Sequence, residues 1–322
     1  MAENSPFIRA ENIVKHFPLK AGFFSRSAEK VHAVNGVSLS IEKGKTLGLV
    51  GESGSGKTTT ARTLLRIIEP DAGSFSFGDT PDVFALGSAQ LKNLRRNMQY
   101  IFQDPYTSLN PKMQIRDIVT EPLRYAGTGM SPRDISEAAA QLLERVGLSA
   151  ADVRKYPHEF SGGQRQRISI ARALSAKPSF IVCDEPVSSL DVSIQSQILN
   201  LLLDIQEKTG ISYLFIAHNL AVVFYLSDYV SVMYAGRIVE SGPSRLVSAR
   251  ARHPYTRLLL AAMPGNREQP IPDTGEPPSL IRLPTGCAFF SRCPKRSAAC
   301  QEEIPPLTEA ESEHRVACFH AG

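Results

Sequence analysis

Residues Thr46 to Thr60, TLGLVGESGSGKTTT, decide how the rest of the chain is read. Leu47, Leu49 and Val50 form a short apolar run of strand type, and Gly51 interrupts it. From there Gly51-Glu52-Ser53-Gly54-Ser55-Gly56-Lys57-Thr58 matches the phosphate-loop pattern G-x-x-x-x-G-K-[ST] at every fixed position. The glycines allow a tight turn and bring backbone N–H groups up to a polyphosphate with no side chain in the way. A helix expected over roughly Lys57 to Ile68, with Thr59 in its first turn, directs the positive end of its dipole at the same phosphates. Lys57 is expected to reach the β- and γ-phosphates, and the Thr58 hydroxyl to hold Mg²⁺. A strand before the motif and a helix after it predict a nucleoside triphosphate site rather than a Gly/Ser-rich surface turn.

Towards the N-terminus, Phe7 to Phe17 and Val31 to Ile41 have strand character, with Val37, Leu39 and Ile41 alternating. PLKAGFFSRSAEK between them reads as a loop. Phe17 is either a stacking surface for an adenine ring or a core phenylalanine.

Beyond the expected helix, Pro70 and Gly73 punctuate the chain, and a weakly patterned stretch runs to about Gly87. Met98 to Phe102 predicts a strand ending at Gln103. A polar residue at the carboxyl end of such a strand points into the ligand crevice of an open α/β sheet, so Gln103 is placed to sense the metal or the attacking water. From Tyr106 to about Lys177 strand signals vanish. Ser131-Pro132 opens one helix and Ser161 caps a second, which stops before Pro178. The apolar FIVCD, Phe180 to Asp184, then predicts a buried strand delivering Asp184 and Glu185 to its carboxyl end. Asp184 is expected to hold Mg²⁺ through water and Glu185 to polarise the attacking water. A further strand, Tyr213 to Ala217, ends in His218, and Val230 to Glu240 reads as a hairpin turning at Ala235-Gly236. Gly51, Gln103, Glu185 and His218 thus all follow strands, which predicts one site for phosphate chemistry.

At 322 residues there is room for two domains, or for one large domain with an appendage, and a sizeable core. Thirty-six basic against 32 acidic residues leave a net charge of +4, too mild for a nucleic-acid surface, and Lys92, Arg95 and Arg96 read as a solvated helix face. MAENSPFIRA lacks the charged and apolar regions of a secretory signal, and no apolar run reaches the ~18 residues of a spanning helix, so a cytosolic chain is expected.

In this order, the phosphate loop, Gln103, Phe160-Ser161-Gly162-Gly163-Gln164, FIVCDE, Ser188-Ser189-Leu190-Asp191 and His218 resemble the ATPase subunit of an ATP-binding cassette transporter. The resemblance covers roughly Phe7 to Gly242, with Phe160 where leucine is commoner. It implies an α/β fold: a P-loop NTPase (RecA-like) nucleotide-binding domain over 1–245, with an antiparallel β edge and an all-helical insert over about 104–177. It further implies ATP and Mg²⁺ as ligands and a head-to-tail dimer with a second ATPase subunit, identical or paralogous. In that dimer Ser161, Gly162, Gly163 and Gln164 of one subunit close on the nucleotide held by the other. Asp191 bridges the two sites, and His218 holds the γ-phosphate and the attacking water. Also implied are two multi-span permease subunits, a solute-binding protein, and peripheral attachment at the cytoplasmic face of the bacterial inner membrane.

After Ser241 the prolines thicken (Pro264, Pro270, Pro272, Pro277, Pro278 and Pro284), which predicts a linker to a small tail domain. His253-Pro254-Tyr255-Thr256-Arg257-Leu258-Leu259 and the following cysteine-bearing end, 246–322, resemble the extension of oligopeptide and dipeptide importers. Relatives importing nickel or glutathione share that extension. Of five cysteines, Cys183 stands alone, whereas Cys287, Cys293, Cys300 and Cys318 crowd the end. In a reducing compartment these are free thiols or a metal site rather than disulfides. Their spacing lacks the paired C-x₂-C knuckles of structural zinc, and the resemblance implies a [4Fe–4S] cluster. A soluble cassette ATPase acting on DNA or ribosomes is the rival from another class. Such relatives carry two cassettes or long coiled-coil insertions, features this chain lacks.

Overall fold

The computed structural model describes residues 6–19, 29–125, 129–263 and 275–321. Most of the expected loop at 18–30 and Pro264, Pro270 and Pro272 of the expected linker lie outside the described residues. The strands in chain order are β1 (Ile8–Pro18), β2 (Lys30–Ile41), β3 (Thr46–Val50), β4 (Ala72–Phe77), β5 (Met98–Ile101), β6 (Phe180–Asp184), β7 (Ser212–Ala217), β8 (Tyr229–Tyr234), β9 (Arg237–Pro243), β10 (Thr308–Glu311) and β11 (His314–Val316). Two compact units form, one from residues 1–42, 46–85 and 216–322, the other from 43–45 and 86–215.

In the first unit β1 lies between β2 and β4 in an antiparallel sheet. Val37, Leu39 and Ile41 of β2 are buried in alternation as the sequence predicts, whereas in β1 a bulge separates the buried Ile8 and Ala10 from Ile13. Strand β4 arises inside the stretch read as weakly patterned. Phe75 and Phe77 supply its buried face and stand opposite Ala10 and Ile8. The period-2 spacing of the two phenylalanines was the available signal, and the Gly, Ser and Asp residues around them masked it.

A second set of strands in this unit runs in the order β10-β11-β9-β8-β3. Strand β3 is parallel to β8, Val50 opposite Val232, and all five residues of β3 are buried. Strands β8 and β9 form the expected hairpin, with Ala235 at φ +46° and Gly236 at φ +81°. Two consecutive left-handed residues match the right-handed twist of the strands they join. The helix after the phosphate loop, Lys57–Leu64, is shorter than expected. Arg66 adopts φ +50° and ends it, its guanidinium tied to the Glu69 carboxylate and the Val83 carbonyl.

The chain's end completes this unit. Strand β11 pairs with β9, Val316 opposite Glu240, and β10 pairs beyond it. A buried polar knot fastens the pairing. The Glu240 carboxylate, fully buried, accepts from the backbone N–H groups of Arg252 (2.7 Å) and His253 (3.1 Å), and His314 Nε2 lies 2.8 Å from it. A buried carboxylate is tolerated only with such partners. Burial, opposed by the Glu240 charge, pushes the His253 imidazole down to about 4, leaving its Nδ1 free to accept from the Tyr255 N–H. That bond caps the helix Pro254–Ala261.

In the second unit β5 and β6 are parallel, Ile101 opposite Cys183, in the order β7-β6-β5. Every residue of β6 is buried, as a strand covered on both faces requires. All regular structure described between 105 and 175 is helical, as expected. Ser131 and Ser161 close reciprocal capping boxes on the helices Pro132–Arg145 and Gly162–Ser175. The second of these packs closely on the helix Val192–Thr209. A Cβ at Gly163 would stand 2.5 Å from Ile194 Cγ2, so only glycine admits the contact.

Candidate functional site

The phosphate loop bridges β3 and the helix Lys57–Leu64 in the geometry that its glycines foretell. Gly51 has φ +154° and Gly56 φ +107°. A Cβ at Gly51 would lie 2.1 Å from the Met233 carbonyl oxygen, and one at Gly56 2.2 Å from that of Ala33. Both positions demand glycine for space as well as for conformation. Ser55 N–H donates to the Glu52 carbonyl (3.2 Å), and Gly236 N–H donates to that of Ser55 (2.9 Å), tying the loop to the β8–β9 turn. Ser53 and Gly54 are exposed at the loop's crest, and Thr58 and Thr59 are half-buried.

Lys57 is 5% exposed. Its Nζ donates to the carbonyls of Gly51 (2.7 Å) and Glu52 (2.8 Å), with Ser55 Oγ at 3.4 Å. The cation is thus held against the rim by the carbonyls of Gly51 and Glu52. Thr60 and Thr63 hydroxyls turn back onto the carbonyls of Gly56 and Thr59, consistent with their burial in the helix.

Two further predicted residues belong to the same unit. Phe17, in β1, is half-buried rather than a core side chain, with Lys15 Nζ 5.5 Å from its ring centroid. His218 is exposed, directly after β7 and before Asn219, which caps the helix Leu220–Leu226.

The second unit gathers Gln103, Asp184 and Glu185. Asp184, the last residue of β6, is 1% exposed and accepts from the Tyr100 hydroxyl at 2.5 Å. Glu185 follows at φ +47°, a strained conformation for a residue with a side chain. Gln103 Nε2 donates to its Oε2 at 2.9 Å. The strand end therefore presents one buried and one half-buried carboxylate, each held by a neutral donor. The Cys183 thiol beside them, pushed well above its ordinary range by burial and by the Asp184 charge, is an inert core group.

Ser161 is exposed at the N-terminus of the helix Gly162–Ser175, its Oγ accepting from Gln164 N–H (3.4 Å) while Gln164 Oε1 accepts from Ser161 N–H (3.0 Å). The two bonds close the helix end as a reciprocal capping box. Tyr106 flanks it, with the Arg165 guanidinium 4.1 Å from the ring centroid. Asp191 is exposed before the helix Val192–Thr209 and makes no side-chain cap.

All four tail cysteines lie within electrostatic reach of one another. Burial foremost, and then the neighbouring thiols, raise Cys287 to about 11; burial likewise raises Cys293 and Cys318. Cys287 N–H donates to the Cys300 carbonyl at 2.8 Å, a contact that needs Gly286, where a Cβ would lie 2.4 Å from that oxygen. As a donor set, four thiols fit a thiolate-held centre. Among the described residues, however, no group of three or more His, Cys, Asp or Glu stands in a geometry that would hold a metal ion.

Sequence reasoning missed Tyr100, Tyr255 and Arg292. Tyr100 sits in an ordinary strand pattern, and only β5–β6 pairing shows its hydroxyl on Asp184. Tyr255 and Arg292 both reach the phosphate loop from the tail, across distances in sequence that no local pattern encodes.

Residues 34–188 match the family model described as ABC transporter, and residues 239–300 match that of the oligopeptide/dipeptide transporter C-terminal region. The chain is 44% identical to the oligopeptide transport ATP-binding protein AppF of Bacillus subtilis, over 98% of each chain. It is also 44% identical to the dipeptide transport ATP-binding protein DppF of Haemophilus influenzae, over 99% of this chain and 98% of that one. Among solved structures, a dimeric ATP-binding cassette in a post-hydrolysis state, bound to ADP and Pi, superposes with a TM-score of 0.65 at 27% identity. That match covers 74% of this chain and 99% of the cassette.

Proposed function

The chain belongs to the ATP-binding cassette family, in its oligopeptide and dipeptide transporter branch, and from that premise we propose that it hydrolyses ATP to drive peptide uptake at the cytoplasmic face of a bacterial inner membrane. Glu185 carries the hydrolytic reading: a carboxylate held at φ +47° past a fully buried strand, with Gln103 on one oxygen. Among the described residues no helix is long and apolar enough to cross a membrane, so translocation falls to other subunits. Peptide is preferred to nickel or glutathione on the matched C-terminal region and the relatives' names.

The roles follow from the donors each residue offers. Backbone N–H groups from Ser53 to Thr59 and the Lys57 ammonium bind the β- and γ-phosphates. Phe17, half-buried, stacks on the base. Thr58, Gln103 and, through water, Asp184 would hold Mg²⁺, which would supply charge neutralisation at the phosphates. Glu185 takes the proton of the attacking water, and His218 orients that water and the γ-phosphate. Ser161, Gly162, Gly163 and Gln164 bind the triphosphate of a second ATPase subunit, with Asp191 bridging the pair. Permeases and a solute-binding protein complete the complex, with no nucleic acid. The expected result of purifying the full-length chain from membranes of its source cells is recovery with two multi-span proteins and an ATPase partner, identified by mass. Recovery with ribosomes or DNA instead would overturn the transport reading.

The tail, 246–322, is the peptide-importer extension, and we assign its cysteines to an iron–sulfur cluster, most plainly [4Fe–4S]. Cys287, Cys293, Cys300 and Cys318 would hold it as thiolates, and the cluster would supply a crosslink to a segment with little apolar core of its own. Anaerobic purification is expected to yield iron and acid-labile sulfide in stoichiometric amount. Zinc without sulfide would replace the cluster by a structural zinc site, and neither metal would leave four reduced thiols.

A further inference from the structure

Glu52 is the acidic residue of the phosphate loop, and each of its polar groups is engaged. Its carbonyl accepts from Lys57 Nζ (2.8 Å). Its backbone N–H donates to the Tyr255 hydroxyl oxygen (2.8 Å). Its carboxylate is gripped in a fork by Arg292, Nη1 to Oε2 and Nη2 to Oε1, each at 2.9 Å. Two of these partners, Tyr255 and Arg292, come from the C-terminal extension.

Arg292 is built in for this contact. Its side chain is 2% exposed, against 27% for Glu52. Its guanidinium carbon lies 5.5 Å from the ring centroid of Phe289 and 5.8 Å from that of Tyr234, whose ring packs on Tyr255 at 4.5 Å. A guanidinium so far from water is stable only if paired, and a planar fork pairs best with a carboxylate. Cys293 is its chain neighbour, so the cysteine-bearing segment carries the arginine.

A carboxylate on a loop that receives a triphosphate repels it unless its charge is cancelled, and within a protein such repulsion at several ångströms is strong. We propose that Arg292 and Tyr255 are positioning residues for nucleotide binding. Through Glu52 they cancel the loop's one negative charge and hold its backbone, so that the extension sets the affinity for ATP. This rests on the phosphate loop being the nucleotide site.

The test is nucleotide affinity of the full-length chain, by calorimetry with ATP and ADP, for Arg292→Met, Glu52→Gln, the double variant, Arg292→Lys and Tyr255→Phe. Arg292→Met is expected to weaken ATP binding about tenfold or more, and ADP, with less charge, by less. Adding Glu52→Gln to Arg292→Met restores most of the lost affinity, because no uncancelled charge remains. Tyr255→Phe weakens binding several-fold, and Arg292→Lys lies between wild type and Arg292→Met, since it keeps the charge and loses the fork. A double variant as weak as Arg292→Met would reduce the arginine to packing and overturn the proposal. Should Arg292→Met fail to fold, wild-type ATP affinity in both Tyr255→Phe and Arg292→Lys overturns it as well. Lys57→Ala is the control for the underlying site: if it binds ATP like wild type, the loop reading fails, whereas its loss alongside an unaffected Arg292→Met refutes the positioning role alone.

Discussion

Glu185→Gln is expected to retain ATP binding and to lose turnover by about 10²–10⁴-fold, the usual contribution of a general base. The substitution preserves volume, and an amide oxygen can still accept from Gln103 Nε2, which lies 2.9 Å from Glu185 Oε2. At φ +47° glutamine bears the same backbone strain as glutamate, so the local structure is retained. What disappears is the ability to take a proton from water. If ATP joins two subunits and hydrolysis parts them, the variant accumulates the joined form. Size-exclusion with ATP and Mg²⁺ should then show more dimer than wild type under the same conditions. Wild-type turnover in the variant would transfer water activation to another residue.

Lys57→Ala is expected to abolish productive nucleotide binding. The ammonium is 5% exposed, is held at the loop by the Gly51 and Glu52 carbonyls, and is the cation of the phosphate-loop pattern. Hydrogen bonds to charged groups contribute about 1.5–3 kcal/mol each, and the loss of two weakens binding by about 10²–10⁴-fold. The alanine also leaves those carbonyls without the lysine, loosening the loop itself. Calorimetric titration with ATP separates the outcomes, and unchanged affinity together with unchanged turnover would remove Lys57 from the site. Lys57→Met, which keeps the aliphatic stem, distinguishes lost charge from a collapsed loop.

These two residues were legible because their signals are local. A strand, a glycine turn and the start of a helix occupy fifteen consecutive positions around Lys57, and a run of apolar residues, Phe180 to Cys183, leads into Asp184 and Glu185. The same holds for the capping boxes at Ser131 and Ser161 and for the turn at Ala235-Gly236. Helix length was less legible. Leu65 to Ile68 have helical composition, but the left-handed backbone at Arg66 and its ties to Glu69 and Val83 stop the helix at Leu64. Strand β4 was missed because its partner β1 lies some sixty residues earlier, and pairing with that partner completes a pattern that two phenylalanines barely announce.

By itself, then, the sequence determined the phosphate loop, the acidic strand end and the helical character of 105–175, since hydrophobic period, glycine conformation and capping act within a few residues of where they are written. Tertiary structure alone decided that β11 extends β9, that a fully buried Glu240 fastens it through His253 and His314, and that Phe17 stays half-buried. It alone chose Arg292, 240 residues away, as the partner of Glu52. An ion pair leaves no periodic trace in either segment. Which of 36 cations meets a given carboxylate depends on how the chain closes between them, and that is settled only when the burial of Tyr234, Tyr255 and Phe289 brings the extension onto the loop.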